Sequence, residues 1–212
     1  MKRKVLFIIN PISGGRKKDA VPGLIKQHLD ADKYEYAIAY TQSAGHATQL
    51  AAEAIGVYHI VVAVGGDGTI NEVASGMAGT DTLFAIIPFG SGNGLSRFLS
   101  IPMDIAKAIK NINTPHIETI DAATINGQYF FNMAGMGFDA HISEVFSHHK
   151  QRGFVSYIKS AFAEVVKFKP EVYKITIDEQ QIERQAFMLS IANSSQYGNN
   201  AHVSPRASVQ DG

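Results

Sequence analysis

The stretch Gly65-Gly66-Asp67-Gly68-Thr69-Ile70-Asn71-Glu72-Val73 follows an apolar run, Ile60 to Val64, and opens a helical pattern that continues to Met77. A strand that ends in glycines and feeds a helix is the joint of an α/β fold. Helix N-termini present unpaired amides and the positive end of the peptide dipoles, so Gly65 to Thr69 predicts a phosphate-cradling turn. Gly65 and Gly66 are expected to supply positive φ and a close backbone approach. Thr69 is expected to cap the helix or to meet a phosphate oxygen. Asp67 would repel a phosphate directly, so it must work through Mg²⁺, through water, or on the proton of an accepting hydroxyl. Glu72, one turn on, is placed to support it. The plainer alternative is a packing turn in which Asp67 caps the helix.

Outward from this joint, strand and helix patterns alternate. Strands are predicted at Val5 to Ile9, Tyr34 to Tyr40, Ile60 to Val64 and Leu83 to Pro88. Helices are predicted at Ala20 to Leu29, with Asp19 as cap and Pro22 in the first turn, then at His46 to Ile55, Thr69 to Met77 and Asp104 to Asn111. Such alternation implies a parallel sheet covered on both faces, with ligands bound beyond the carboxyl ends of its strands. Near Thr114-Pro115 the pattern changes. Two apolar runs flank Asn126-Gly127, a strong hairpin signal. A helical segment over 155–168 and strands at Val172 to Ile177 and Ala186 to Ala192 follow. The expected organisation is an α/β nucleotide-binding domain over 1–115 and a β-rich substrate domain over 116–212. A β domain of so few strands would leave open edges, and the chain ends on the turn signal Asp211-Gly212, so an incomplete domain is expected.

Composition narrows the partners. Lys plus Arg is 19 and Asp plus Glu is 19, a formal net charge of zero. No global basic field exists to hold a polyanion, which argues against nucleic acid. A local basic patch around Arg16, Lys17 and Lys18 is compatible with this balance. There is no Cys, so disulfides, thiolate metal sites and thiol nucleophiles are excluded. The eight His are scattered without metal-ligand spacing, and His148 and His149 read as surface residues. The apolar run after the N-terminal basic residues is too short for a signal core, and none approaches the ~18 residues of a membrane span. A soluble cytoplasmic protein is expected.

Two further turns fall at strand ends. Asn10-Pro11-Ile12-Ser13-Gly14 offers backbone N–H groups and the Ser13 hydroxyl, stiffened by Pro11; an ordinary βα loop is the alternative. Gly90-Ser91-Gly92-Asn93-Gly94 lacks the spacing of a nucleophile elbow, since position 89 is Phe, and Ser91 reads as a phosphate or ribose donor. A flexible connector is the alternative there. Gly135-Met136-Gly137-Phe138-Asp139-Ala140 mimics a dinucleotide fingerprint but follows a hairpin strand, which favours packing or substrate lining. A Walker-type loop and the protein-kinase signatures are absent.

The motifs NPISGG, GGDGTINEV, PFGSGNGLSRFLSIP, FFNMAGMGFDA and SPRASVQDG together resemble the soluble lipid kinases that include bacterial diacylglycerol kinase and the sphingosine kinases. The resemblance spans essentially the whole chain. The SGNG form is closer to sphingosine-kinase-like and general bacterial lipid kinases; bacterial diacylglycerol kinase usually carries Asp where Gly94 stands. The resemblance implies a nucleotide domain like that of NAD kinase and phosphofructokinase, followed by a β-sandwich, with ATP in the cleft between. It implies phosphate contacts from Asn10, Pro11, Ile12, Ser13 and Gly14 and from Gly65, Gly66, Asp67, Gly68, Thr69, Ile70 and Asn71, and further nucleotide contacts from Thr41 and Ser91. Ser208 and Asp211 match a Mg²⁺ site that ties the sandwich together. Asp67 matches the acid assigned as general base in sphingosine kinases, whereas bacterial diacylglycerol kinase takes that base from a part of the family beyond Gly212. Asp139 is placed to approach the lipid headgroup, with a structural role in its turn as the alternative.

The activity so implied is transfer of the γ-phosphoryl of ATP to a lipid hydroxyl, with Mg²⁺ as cofactor. The lipid has to be lifted from a bilayer, so peripheral membrane contact is expected, with Phe146, Phe154 and Tyr157 as candidate apolar contacts and a helix core as the commoner use of such residues. A homodimer is compatible with this picture. Two alternatives stand beside it: an NAD-kinase-like phosphotransferase, against which SGNG and FNMAGMGFDA argue, and a nucleotide-binding relic without turnover.

Overall fold

The computed structural model describes residues 2–13, 18–138, 140, 165, 168–198 and 201–212. Their contacts divide the chain into two units, Met1–Asn132 with Asn193–Gly212, and Met133–Ala192.

The first unit is built on strands β1 (Arg3–Ile9), β2 (Tyr34–Tyr40), β3 (Ile60–Gly65) and β4 (Leu83–Pro88). They form one parallel sheet in the order β2-β1-β3-β4. Helices α1 (Val21–His28), α2 (His46–Ala54) and α3 (Asp67–Met77) make the crossovers. The five-residue α4 (Gly94–Phe98) and then α5 (Ile105–Asn113) follow β4. The runs Val5 to Ile9 of β1 and Ile60 to Val64 of β3 are continuously apolar because alternate residues enter opposite layers. Val5, Phe7 and Ile9 pack with Val21 and Ile25 of α1 and with Ala108, Ile109 and Ile112 of α5. Leu6 and Ile8 face the other way, onto Ala47 and Ala51 of α2 and Ile70, Val73 and Met77 of α3. Each fully buried side chain of this size contributes about 1.5–3 kcal/mol, so the double layer, not local propensity, holds the unit together. Gly76 lets α3 lie directly on α2, since a Cβ there would sit 2.4 Å from the Thr48 carbonyl oxygen.

This order has a consequence for ligands. From β1 the chain moves outward to β2, then crosses β1 to reach β3, so crossovers leave the β1/β3 boundary on opposite faces. Ligands of open parallel sheets bind beyond the carboxyl ends at such a switch point.

Most predicted elements are present within a residue or two. Asp19 does not cap α1: the N-cap is Ala20, with no side-chain bond, while Pro22 does occupy the first turn. Asp104 does cap α5, its Oδ1 accepting the Lys107 amide at 2.9 Å.

Beyond α5 come β5 (Ala123–Ile125) and β6 (Gln128–Phe130), an antiparallel hairpin turned by Asn126 and Gly127 at φ 51° and 77°. The second unit contains β7 (Met133–Gly137) paired antiparallel with β10 (Met188–Ala192), and the hairpin of β8 (Glu171–Ile177) and β9 (Gln180–Ala186). Strand β9 was not predicted, because its residues are largely polar and exposed. Gly137 is a packing glycine, at φ 86° with a Cβ position 2.8 Å from the Phe187 carbonyl oxygen, which bears out the packing side of that motif's expectation. The helix expected over 155–168 and the apolar contacts expected at 146, 154 and 157 lie outside the described residues, apart from 165 and 168.

The C-terminal segment returns to the first unit through β11 (Gln196–Gly198) and β12 (Ala201–His202). The Asp121 amide donates to the Val209 carbonyl at 2.7 Å, and Gln210 Nε2 donates to the Thr119 carbonyl at 3.1 Å. The segment is therefore anchored to residues 119–121, with Val209 buried.

Candidate phosphate-binding rim

The residues just past the four strands stay in register across the sheet. The Thr41 amide donates to the Ile9 carbonyl at 3.0 Å, Asn10 to Val64 at 3.1 Å, and Phe89 to Gly65 at 2.7 Å. The turns after β1, β3 and β4 thus emerge side by side on one edge, and side chains then link them.

Asn10 organises the first turn. Its Oδ1 accepts the Ile12 amide at 3.1 Å, its carbonyl accepts the Ser13 hydroxyl at 3.3 Å, and its Nδ2 donates to Thr69 Oγ1 at 3.0 Å. Thr69 is buried, and its side chain lies over Gly65, where a Cβ would be 2.5 Å from Thr69 Cβ and Oγ1. Its hydroxyl therefore joins the first and second turns. The helix it belongs to has Gly66 as N-cap, without a side-chain cap.

Neither Gly65 nor Gly66 adopts positive φ; Gly66 sits at φ −88°. Their purpose is close approach, and the neighbour is protein: a Cβ on Gly66 would lie 3.2 Å from Gly90 Cα. The loop after β4 continues this backbone-on-backbone packing. A Cβ on Gly92 would meet Asp67 Oδ2 at 3.1 Å, and one on Gly94 would meet the Tyr197 carbonyl oxygen at 2.6 Å. The left-handed residue of the loop is Asn93, at φ 51°, a conformation Asn tolerates better than most residues. Its side chain locks the loop from within, Oδ1 accepting the Gly90 amide and Nδ2 donating to the Gly90 carbonyl, both at 2.8 Å. Sequence reading passed over Asn93; its place between glycines at a strand end was the available signal.

Asp67 is the first residue of α3, on the exposed side of the turn, with its carboxylate turned in toward the β4 loop. Oδ2 accepts the Asn93 amide at 2.9 Å and Oδ1 accepts the Gly94 amide at 2.8 Å. It therefore closes the N-terminus of α4. Enclosure of the carboxylate raises its pKa above the ordinary value, against the opposing pull of those two amides, of its own backbone amide and of the Arg97 charge. Each oxygen keeps a further lone pair for a proton, a water or a hard cation. Glu72 does not support Asp67: its Oε2 accepts the Ala47 amide at 3.2 Å, in the first turn of α2. The two acids of α3 thus serve two different helix N-termini.

The remaining predicted residues divide. Pro11 and Ile12 are exposed on the first turn, and Thr41 is buried at the end of β2. Gly68 faces open space. Ile70 points into the core, and Asn71 Nδ2 donates to the Tyr129 carbonyl at 3.2 Å, farther along α3. Ser91 is exposed and engaged with a neighbour. Ser208 and Asp211 are exposed on the segment held to residues 119–121; Ser208 Oγ accepts the Gln210 amide at 3.1 Å. Gly14 and Asp139 lie outside the described residues. No group of three or more His, Cys, Asp or Glu able to hold a metal occurs among the described residues.

Comparison with known proteins agrees with this architecture. The family model described as the diacylglycerol kinase catalytic domain matches residues 4–125, and that described as the YegS C-terminal NAD kinase beta sandwich-like domain matches residues 132–212. The chain is 30% identical over 216 residues to a diacylglycerol kinase of Bacillus subtilis, covering 99% of this chain and 71% of that protein. It is 31% identical over 220 residues to a diacylglycerol kinase of Staphylococcus saprophyticus, covering 100% and 71%. The crystal structure of a diacylglycerol kinase from Bacillus anthracis superposes with a TM-score of 0.74 at 28% identity, covering 99% of this chain and 71% of that one. With both of its segments matched in order and its sheet shared with a solved relative, this chain belongs to the diacylglycerol kinase catalytic-domain family.

Proposed function

We propose that this protein is an ATP-dependent lipid kinase that passes the γ-phosphoryl group to a lipid hydroxyl of the diacylglycerol or sphingoid type. The observation that carries this is the shared rim, where three adjacent turns stand at a topological switch point. In its middle the first turn of α3 presents the amides that an α-helix leaves unpaired.

In this reading residues 1–115 bind the nucleotide and 116–212 receive the lipid. The phosphates lie against the amides of Asp67, Gly68 and Thr69 and against the turn from Asn10 to Gly14, with Thr41 and Ser91 toward the rest of the nucleotide. Ile70 and Asn71 act by holding α3 in place. Phosphoryl transfer needs positioning and charge stabilisation more than covalent participation by the protein. Asp67, with a lone pair left on each carboxylate oxygen, would help to hold Mg²⁺, which would supply part of that charge stabilisation. Asp67, its pKa raised, takes the proton of the accepting hydroxyl or holds the water between. Ser208 and Asp211 offer the oxygen donors that suit a structural Mg²⁺, and Asp139 approaches the headgroup. Among the described residues no helix is long and apolar enough to cross a membrane, which fits a lipid reached from the bilayer surface.

The test is incubation with labelled ATP and, separately, dispersed diacylglycerol, a sphingoid base and NAD. Label on one of the lipids is expected. Label on NAD alone would establish the NAD-kinase-like alternative, and ATP binding without label on any acceptor would establish the non-catalytic one.

A further inference from the structure

One buried charge at this rim has no role in the account above. Lys18 is only 4% exposed, beside the turn that follows β1. Its Nζ donates to the Ser13 carbonyl and stands 5.0 Å from the centroid of the Phe89 ring, the first residue past β4. No carboxylate among the described residues forms an ion pair with it. Removing an ammonium from water is costly unless hydrogen bonds and charges replace the lost hydration. Here one carbonyl and one ring face do so, and burial accordingly pulls the pKa of the amine down.

We infer that Lys18 is a positioning residue for phosphate at this rim: it draws the Ser13 carbonyl inward and leaves its own charge to be balanced by the nucleotide. The step rests on the reading of the rim as an ATP site. A buried cation with no counter-ion among the described residues favours an anion nearby, and the low dielectric beneath the turn strengthens that attraction. The contact with Phe89 braces the amine from the β4 side, so one lysine links the first and third turns where Asn10 and Thr69 link the first and second. Sequence reading placed Lys18 in a local basic patch; its burial is what sets it apart.

The experiment is direct binding of ATP and of adenosine to the whole protein, without a lipid acceptor, for wild type, Lys18→Met and Lys18→Gln. Met preserves length and packing but neither charge nor donor, while Gln preserves a donor without the charge. In Lys18→Met, ATP affinity should fall roughly tenfold, the scale of one charge-assisted hydrogen bond, with adenosine affinity unchanged. Lys18→Gln should fall between. Equal losses for ATP and adenosine, or no loss for ATP, would overturn the assignment. If Lys18→Met fails to fold, Lys18→Gln decides by the same ATP-to-adenosine contrast. Failure of the wild type to bind ATP would instead refute the nucleotide site itself, and this inference with it.

Discussion

The turns after β3 and after β4 look alike in sequence, each a cluster of glycines opening a helix, yet they do opposite things. The first leaves the leading amides of α3 without a capping side chain. In the second, the leading amides of α4 are already taken, because Asp67 accepts from both Asn93 and Gly94. The acid that made the first turn look catalytic thus satisfies the second. Both helices have a positive end, but only the uncapped one can receive a phosphate without displacing a carboxylate. Glycine spacing alone does not distinguish an anion cradle from a packing joint; where the carboxylate points does.

Breaking the closed turn should have the largest effect. Gly94→Ala places a Cβ 2.6 Å from both the Tyr197 carbonyl oxygen and Asn132 Nδ2, so backbone must move. Overpacking of this kind costs about 1–3 kcal/mol, and a lower midpoint in urea unfolding checks it. Asp67→Asn comes next. One amide keeps its acceptor while the other faces an NH₂ group, a loss of about 1–3 kcal/mol, and turnover should fall more than ATP affinity. Loss of the raised Asp67 pKa gives this variant a pH signature. An acid whose folded pKa lies above its unfolded value binds its proton more readily in the native state. It therefore adds stability as pH falls through the folded pKa and withdraws it as pH rises. The Asp67→Asn variant should lack that component of the melting temperature's pH dependence.

Smaller changes sharpen the open turn. Asn10→Ala removes the bond to Thr69 that holds the first turn to the second. It should cost about 0.5–1.5 kcal/mol and weaken ATP binding while sparing the β4 loop. Gly68→Ala is the mildest. Its Cβ meets nothing within 4 Å and its φ is not positive, so the protein should gain about 0.4–1 kcal/mol from a less flexible unfolded chain. If phosphate lies against that backbone, the same variant binds ATP more weakly despite melting higher. A gain in both would return the turn to a purely structural role.

How much could be read from sequence follows the same division between local and distant causes. Runs such as Val5 to Ile9 and Ile60 to Val64 are apolar at every position because they are buried on both faces, so they announce themselves. Asn126-Gly127 did so as well, since few residues accept the φ values it needs. Helix α4 was missed because five residues carry too little periodicity. Strand β9 was missed because Gln180, Gln181, Glu183 and Arg184 face water, and its turn uses Asp178 and Glu179 at positive φ where Gly or Asn would be the signal. In the site, the shared rim followed from counting parallel strands. The pairing of Asp67 with Asn93 and Gly94, of Glu72 with Ala47, and of Lys18 with Phe89 joins residues 25 to 71 positions apart, and no local pattern records such pairings.

The most direct measurement is the amide spectrum of the ¹⁵N-labelled protein titrated with ATP. The account predicts the largest shifts at Gly68 and Thr69, the open start of α3, with Asn93 and Gly94 little changed because Asp67 holds their amides. Large shifts at Asn93 and Gly94 with Gly68 and Thr69 unmoved would contradict it.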